Sequence, residues 1–478
     1  MFLRQINDPG LAQYAYLIGC PRTEEALIVD PERDIDRYRV LAEANDLRIT
    51  AVAETHIHAD FVSGAQEFAA DPSVTLYLSG EGGEDWSYQW PRCRDKVILL
   101  RHREGFRVGN IDVTAIHTPG HTPEHLSYLI TDSGGDADAP MALLTGDFLF
   151  VGDVGRPDLL ETAAGVPGAR EPSARQLQRS LVERLGGLPD FLQVLPAHGS
   201  GSSCGKALSA TPISVLGYER RFNHALRLAN SDAAGFVEDI LSGQPDPPLY
   251  FARMKRVNRD GISVTGGPPS PRKLTACDAA VFAAERQGTL LDTRPDRAVF
   301  DGGHIAGALH APFPGAFFLT SAGSYVGEND CVLLLVEREA DVEEISRQLY
   351  RIGLDHLAGY VLAGVAASAG LMTERTARVD FATWNREALG SEEMILDVRN
   401  ASEFSEGHLP GAVNVPYTRL RSRLDELPRD KRLYVHCGSG KRAALAASFL
   451  RLEGFEVLHV DGLCEDCERI ARSRGHAH

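Results

Sequence analysis

The sequence predicts an α/β protein of about three domains, and three observations support this prediction. The chain has 478 residues, of which 43% are hydrophobic, enough to form several separate cores. In the first half, motifs rich in histidine and aspartate each follow a short apolar run. In about the last two hundred residues, predicted strands alternate with predicted helices, which is typical of small α/β domains with parallel sheets.

The first motif is Glu54-Thr55-His56-Ile57-His58-Ala59-Asp60-Phe61, which follows a strand predicted over residues 49–53. Side chains alternate along a strand, so His56, His58 and Asp60 would project on the same side from its end. Three potential ligands this close together indicate a metal site. For an isolated motif of this kind, a surface turn with two solvated histidines is the alternative.

Three further motifs follow in order, each after an apolar run: residues 116–125 with His121, residues 144–147 with Asp147, and residues 195–199 with His198. This ordered set resembles the metallo-β-lactamase superfamily. The resemblance covers residues 1–265 and implies an αββα sandwich for this first domain.

Phe61 is a departure from the superfamily pattern, because the two-metal hydrolases have a histidine there for their second ion. A benzyl side chain cannot bind a metal. Resemblance to the mononuclear iron branch therefore implies one Fe(II) per chain. Its three ligands would form a facial triad, which leaves positions on the iron open for substrate and dioxygen. Zinc would accept the same donors, so ligand type does not choose the metal. The implied ligands are His56, His121 and Asp147, with His58, Asp60 and His198 as outer groups that orient ligands or bind water.

A second motif, which indicates a reactive cysteine, lies near the other end of the chain. An apolar strand over residues 433–436 leads into Cys437, a loop of Gly438, Ser439, Gly440 and Lys441, and then Arg442 in a predicted helix. Backbone amides at a helix N-terminus favour an anion in such a loop. Together with the upstream motifs at 395–399 and 406–412, this resembles a rhodanese domain over residues 380–478, with Cys437 as the persulfide carrier and Arg442 beside it. Cysteine phosphatases are the alternative, but their loop between cysteine and arginine is longer.

An internal repeat precedes this domain. Residues 290–294 and 303–308 match the two upstream motifs just given, at an offset of one domain length. The repeat predicts a degenerate rhodanese-like domain over residues 276–375, in which Glu337 takes the position of Cys437. A carboxylate cannot carry a persulfide, so we expect a structural or docking role. The Gly/Pro-rich segment 266–271 would separate it from the first domain.

Three other residues are candidates for sulfur handling or substrate binding. Cys204 follows His198 in a loop rich in glycine and serine, where it would receive sulfur from substrate or simply fill a tight turn. Cys20 ends a predicted strand and has a weaker claim. Arg156 would bind a substrate carboxylate through its planar guanidinium, with an ion pair to Asp158 as the alternative.

The composition indicates which partners and which cellular compartment to expect. A net charge of −17 disfavours binding to nucleic acids or anionic membranes as a main activity. We find no apolar run of membrane-spanning length and no signal-peptide core. Eight scattered cysteines do not form a disulfide framework, and a thiol-dependent site needs a reducing compartment. We therefore expect a cytoplasmic protein, and a homo-oligomer (a dimer or tetramer).

The whole arrangement resembles the persulfide dioxygenase–rhodanese fusion enzymes of bacterial sulfide detoxification. This resemblance implies oxidation of a low-molecular-weight thiol persulfide, such as glutathione persulfide, by O2 to sulfite and thiol. Cys437 would exchange sulfane sulfur with sulfite or thiosulfate, in a direction that the sequence leaves open. Two alternatives are a thioester hydrolase of glyoxalase II type with a rhodanese appendage, and a non-enzymatic sulfur carrier with a vestigial metal domain.

Overall fold

The computed structural model describes residues 1–91, 95–135, 137–163, 165–315, 317–384 and 389–464. The chain divides into two units, Met1–Pro268 and Pro269–His478. This division falls within the Gly/Pro-rich segment 266–271. Among the described residues, every helix is too short or too polar to cross a membrane.

The first unit contains two six-stranded sheets. One has the strand order β1-β2-β3-β4-β5-β6 and the other β12-β11-β10-β9-β8-β7. The strands are β1 Phe2–Asp8, β2 Gln13–Cys20, β3 Glu25–Val29, β4 Arg48–Ala53, β5 Thr75–Ser79, β6 Val97–Leu100, β7 Gly105–Val108, β8 Ile111–His117, β9 Leu126–Asp132, β10 Ala142–Gly146, β11 Gln193–Pro196 and β12 Ser214–Val215.

Helices cover the outer faces of these two sheets. Tyr38 of α1 and Phe68 of α2 pack with outward residues of the first sheet, whereas α4, α6 and α7 pack on the second. A third core joins the inward faces, for example Val29 of one sheet and Val113 of the other. The layers are therefore those of an αββα sandwich. The helices of this unit are α1 Asp36–Glu43, α2 Ala65–Phe68, α3 Leu159–Thr162, α4 Arg170–Leu185, α5 Leu216–Phe222, α6 His224–Ser231, α7 Ala233–Leu241 and α8 Tyr250–Asp260.

The second unit contains two smaller, entirely parallel sheets. We call residues 269–375 the first module, with order β14-β13-β15-β16, and residues 376–464 the second module, with order β17-β21-β20-β18-β19. The elements are α9 Ala276–Ala284, β13 Thr289–Asp292, α10 Arg297–Gly302, β14 Ala308–His310, α11 Phe318–Tyr325, β15 Val332–Val336, α12 Val342–Arg351, β16 Leu357–Leu362, α13 Ala363–Ser368, β17 Ala377–Asp380, β18 Glu393–Asp397, α14 Ala401–Glu406, β19 Val413–Asn414, β20 Arg432–His436, α15 Lys441–Leu452 and β21 Val457–Asp461.

The two modules repeat individual contacts as well as strand order. In the first module, Arg294 forms an ion pair with Asp292 and donates to the Gly303 carbonyl. In the second module, Arg399 does the same with Asp397 and the Gly407 carbonyl. The internal repeat predicted from the sequence therefore has a counterpart in the packing.

The strand register corrects one position within this repeat. Asp292 pairs with Leu335 in the first module, and Asp397 pairs with His436 in the second. Val336 therefore occupies the place of Cys437, and Glu337 lies one residue later, at the place of Gly438. The predicted match of Glu337 with Cys437 was therefore wrong by one residue. Valine, like glutamate, offers no thiol.

Candidate functional site

Three of the predicted ligands come together in the first unit. His56 follows β4 of one sheet, whereas His121 and Asp147 follow β8 and β10 of the other. Their potential ligand atoms all lie within 4.8 Å of one another, and all three residues are buried. Residues far apart in sequence thus form one donor cluster, which we call the first cluster.

Hydrogen bonds orient the two imidazoles of the first cluster. Because the Thr55 hydroxyl donates to Asp30, His56 Nδ1 is the donor to Thr55, at 2.9 Å. His121 Nδ1 donates to the Arg156 carbonyl, also at 2.9 Å. In both rings, Nε2 is therefore left with the lone pair that a metal needs. The sequence analysis did not identify Thr55 as an orienting residue, although it directly precedes His56.

The electrostatics of the first cluster fit a cation. Burial lowers the pKa of His121 to about 4, so its ring is neutral, and it raises the pKa of Asp147 to about 6. Both carboxylate oxygens of Asp147 are buried without a hydrogen-bond partner among the described residues. Buried polar atoms rarely remain unpaired, and a metal ion would satisfy these two.

Asp147 needs a glycine before it. Gly146 has a φ of 53°, and a Cβ there would lie 2.6 Å from His125 Nε2 and 2.8 Å from Thr55. The Asp147 amide donates to His125 Nε2 at 3.0 Å. His125 therefore uses its lone pair to fix the ligand loop, which is a structural role.

A second cluster of donors adjoins the first and consists of Asp60, His198 and Cys204. His198 Nε2 lies 3.4 Å from Asp60 Oδ2 and 3.4 Å from Asp147 Oδ1. Burial raises the pKa of the Cys204 thiol well above its usual range, and the nearby charges of Asp147 and Asp60 raise it further. Asp147 therefore lies beside both clusters. Cys204, which the sequence indicated only as a sulfur-handling candidate, supplies a third possible metal donor beside Asp60 and His198.

His58 belongs to neither cluster and instead pairs with two other carboxylates. Its Nε2 lies 3.2 Å from Asp30 and 3.0 Å from Glu54, and its ring stacks on Phe61 with centroids 4.4 Å apart. Although burial alone would lower it, the pKa of His58 is raised well above its usual value by the two carboxylates. Since Asp30 also binds Thr55, His58 connects to the first cluster through Asp30 and Thr55.

Arg156 is engaged within the protein. Its guanidinium pairs with Asp158 at 2.6 Å, and Nη1 donates to the Ser203 carbonyl at 2.9 Å. The side chain is 1% exposed. The ion pair with Asp158, the alternative left open by the sequence, is therefore present, and Arg156 holds the loop that carries Cys204.

Cys20 lies far from the clusters. It ends β2, an eight-residue strand whose first residue, Gln13, pairs with His198. At about 3.3 Å a residue, the two ends of β2 are about 23 Å apart. Cys20 contacts the amide of Asn110, at 3.3 Å, so we do not retain it as a sulfur-handling candidate.

Cys204 and Cys20 provide a matched test of the second cluster. We expect Cys204→Ser to keep one iron per chain and to change product ratio or turnover, because the thiol contacts a ligand of the first cluster. Cys20→Ser should change neither. Metal analysis of both variants, with quantification of the products, checks this. If wild type held two ions per chain and Cys204→Ser alone held one, Cys204 would instead be a ligand of a second metal.

Cys437 lies between the central strand β20 and the N-terminus of α15, and it is 1% exposed. Gly440, the residue before α15, has a φ of 82°, and a Cβ there would meet the Asp461 carboxylate. Strands β18 and β21 flank β20 in the same direction. The predicted loop 438–441 therefore joins a strand to a helix N-terminus, which suits an anion such as a thiolate or persulfide.

Arg442 forms a two-pronged ion pair with Glu403 of α14, at 2.5 and 2.7 Å. Burial alone would raise the pKa of the Glu403 carboxyl, but the pKa is lowered because Arg442 stabilises the charged form. The sequence analysis did not identify Glu403. Its charge cancels that of Arg442 next to the loop.

Comparison with known proteins agrees with this architecture. Residues 8–198 match the metallo-beta-lactamase superfamily, and residues 381–466 match the rhodanese-like domain. A crystal structure of a metallo-beta-lactamase from Staphylococcus aureus is 39% identical with a TM-score of 0.68, covering 76% of this chain and 99% of that one.

Two further proteins are similar to about half of the chain. The structure of ETHE1 from Myxococcus xanthus is 27% identical with a TM-score of 0.43, covering 56% of this chain and 100% of that one. A hydroxyacylglutathione hydrolase-like protein of Mus musculus is 31% identical over 255 residues, which are 48% of this chain and 82% of that protein. The chain belongs to the metallo-beta-lactamase superfamily through its N-terminal part and carries a C-terminal rhodanese-like domain.

Proposed function

We propose that the protein is a persulfide dioxygenase and sulfurtransferase that acts in sulfide detoxification. The observation that carries this proposal is the first cluster, in which two neutral imidazoles and one carboxylate converge in a chain that also places Cys437 at a helix N-terminus. Two histidines and a carboxylate suit Fe(II) with open coordination positions. A thiol persulfide is a compound that the metal cluster and the Cys437 site could both use, because its outer sulfur can be oxidised and can also be transferred.

His56, His121 and Asp147 would hold one Fe(II) per chain. When bound, the iron supplies adjacent open positions for O2 and for the outer sulfur of the persulfide. The overall reaction consumes persulfide, O2 and water and yields thiol and sulfite; the outer sulfur loses four electrons, and O2 accepts them.

The surrounding residues orient the donors and accept protons. Thr55 and the Arg156 carbonyl keep both Nε2 atoms directed at the metal position. Asp60 Oδ2 and His198 Nε2 are buried next to it without hydrogen-bond partners among the described residues. Burial raises the pKa of Asp60 to about 6. This pair is therefore suited to accept the protons that sulfite formation releases.

Cys437 would carry sulfane sulfur in the second activity. Its thiolate attacks the outer sulfur of thiosulfate, the S–S bond of thiosulfate breaks, and sulfite leaves with the bonding electron pair. The resulting persulfide on Cys437 passes its outer sulfur to a nucleophile, and the reverse sequence makes thiosulfate from sulfite. The backbone amides of the loop stabilise the anionic sulfur in either direction.

A thioester hydrolase with two metal ions is the second candidate. The observation that favours it is the second cluster, because Cys204 offers a donor despite the loss of a histidine at Phe61. The hydrolase-like name of the mouse relative points the same way. In that reaction, a metal-bound hydroxide would attack a glutathione thioester.

The deciding experiment is oxygen uptake by anaerobically purified, iron-analysed protein after addition of glutathione persulfide, with sulfite and thiosulfate quantified. We expect one iron per chain, and O2 consumption equal to the sulfite and thiosulfate formed by oxidation. Fully iron-loaded protein that takes up no O2 with this or other thiol persulfides, but hydrolyses S-lactoylglutathione without O2, would establish the hydrolase instead.

A further inference from the structure

Arg442, which follows the sulfur loop directly, is already paired within the protein. Both of its Nη atoms contact the Glu403 carboxylate, and Lys441 of the loop itself is exposed. A substrate such as thiosulfate or sulfite carries two negative charges. A further cation reaches the loop from elsewhere in the second unit.

Arg297, the first residue of α10 in the first module, reaches the loop. Its Nε donates to Asp461 Oδ1 at 2.8 Å, and its Nη2 lies 3.5 Å from the Ser439 carbonyl. Asp461 itself lies against the loop, since a Cβ on Gly440 would come within 2.0 Å of its Oδ1. The guanidinium is therefore at the edge of the loop, two residues from Cys437.

A second arginine lies at this edge of the loop. Arg378 also binds Asp461, through Nη1 at 3.2 Å from Oδ2. Two arginines thus share the Asp461 carboxylate. The Arg297 side chain is 31% exposed, and its Nη1 has no hydrogen-bond partner among the described residues. An arginine with an open edge is suited to a planar or tetrahedral oxyanion.

A buried histidine fixes α10 against the loop. His459 Nδ1 lies 2.8 Å from Asp301 of α10, and His459 Nε2 lies 3.0 Å from the Gly440 carbonyl. His459 is fully buried. Asp301 is four residues after Arg297, so the same short helix carries both the anchor and the arginine. The position of Arg297 is therefore set by the packing of the two modules.

We propose that Arg297 is a substrate-binding residue of the Cys437 site and that it binds the oxyanion end of thiosulfate or sulfite. The first module, which has Val336 in place of the nucleophile, thereby contributes to the site of the second. This inference rests on the proposed sulfur transfer at Cys437. In that transfer, Arg297 would bind the sulfonate oxygens while the thiolate takes the outer sulfur and sulfite leaves.

The test is steady-state sulfur transfer from thiosulfate to cyanide by the full chain, measured as thiocyanate. We expect Arg297→Gln to raise the KM for thiosulfate about tenfold and to leave kcat within about twofold. A tenfold change is at the lower end of what the loss of a charge-assisted hydrogen bond causes, because the site is partly exposed. Arg297→Lys should recover part of the KM, because it keeps the charge but loses the planar geometry. The dependence of KM on ionic strength should also weaken in Arg297→Gln.

Arg338→Gln is the matched control. Arg338 lies in the same module and pairs with Asp341 at 2.6 Å, so the charge change is the same without a contact to the loop. An unchanged KM in Arg297→Gln, or an equal rise in Arg338→Gln, would overturn the inference. If Cys437→Ser still transfers sulfur, the proposed sulfur transfer itself fails, and the two failures are thereby distinguished.

Discussion

Asp147→Asn is expected to abolish iron binding and oxygen uptake while leaving sulfur transfer intact. The substitution keeps the shape of the side chain but removes the negative charge that faces both clusters. A bound metal contributes several kcal/mol to such a reaction, so we expect O2 uptake to fall by about a thousandfold or more. Iron analysis, O2 uptake with glutathione persulfide, and thiocyanate formation from thiosulfate measure the three properties.

The metal-free variant should fold at least as stably as metal-free wild type. Burial raises the pKa of Asp147 to about 6 because the charged carboxylate is poorly solvated, and a neutral amide avoids that cost. Asp112→Asn is the control, since Asp112 is a partly exposed carboxylate of the same unit that pairs with Arg107. Normal iron content and O2 uptake in Asp147→Asn would show that the metal is held elsewhere.

The αββα sandwich and the meeting of the first cluster were both implied by the resemblance that the ordered motifs carry. His56, His121 and Asp147 each stand in one of those motifs, after an apolar run. Local spacing also predicted the Cys437 loop, because a strand, a glycine-rich turn and a helix are contiguous in the chain.

Contacts made by loops could not be predicted in this way. Cys204 lies beside Asp147 because Arg156 binds the Ser203 carbonyl, and this contact joins segments that no periodic pattern relates. The choice between a substrate carboxylate and Asp158 as the partner of Arg156 depended on burial, which sequence spacing does not give.

The repeat illustrates a related limit. Motif matching aligned the two modules at their first strands, but the register between the first and third strands, which places Val336 at the position of Cys437, is set by hydrogen bonds that motif spacing does not give. The contact of Arg297 with the Ser439 carbonyl arises from packing between modules. A residue in a module that lacks the nucleophile gives no motif by which to identify it.

Cys437→Ser is expected to abolish sulfur transfer, because a hydroxyl cannot accept sulfane sulfur and return it. Removal of a covalent nucleophile typically costs at least about a thousandfold in rate. We expect no detectable thiocyanate from thiosulfate and cyanide, and no transferable sulfur on the protein after incubation with thiosulfate. Oxygen uptake by the iron-loaded variant should match wild type, whereas the ratio of thiosulfate to sulfite among its products should change.

Cys277→Ser is the matched control for this variant. Cys277 is an exposed free thiol in the same unit, at the start of α9, and it has no contact with the sulfur loop among those described. Sulfur transfer should be lost in Cys437→Ser and retained in Cys277→Ser. Equal loss in both variants would mean that the assay reports general thiol chemistry. Retention in both variants would remove Cys437 from the mechanism and leave the iron site to account for all products.

Because O2 uptake is measured on the same preparations, loss of sulfur transfer with normal uptake would also show that the two activities depend on separate residues of one chain.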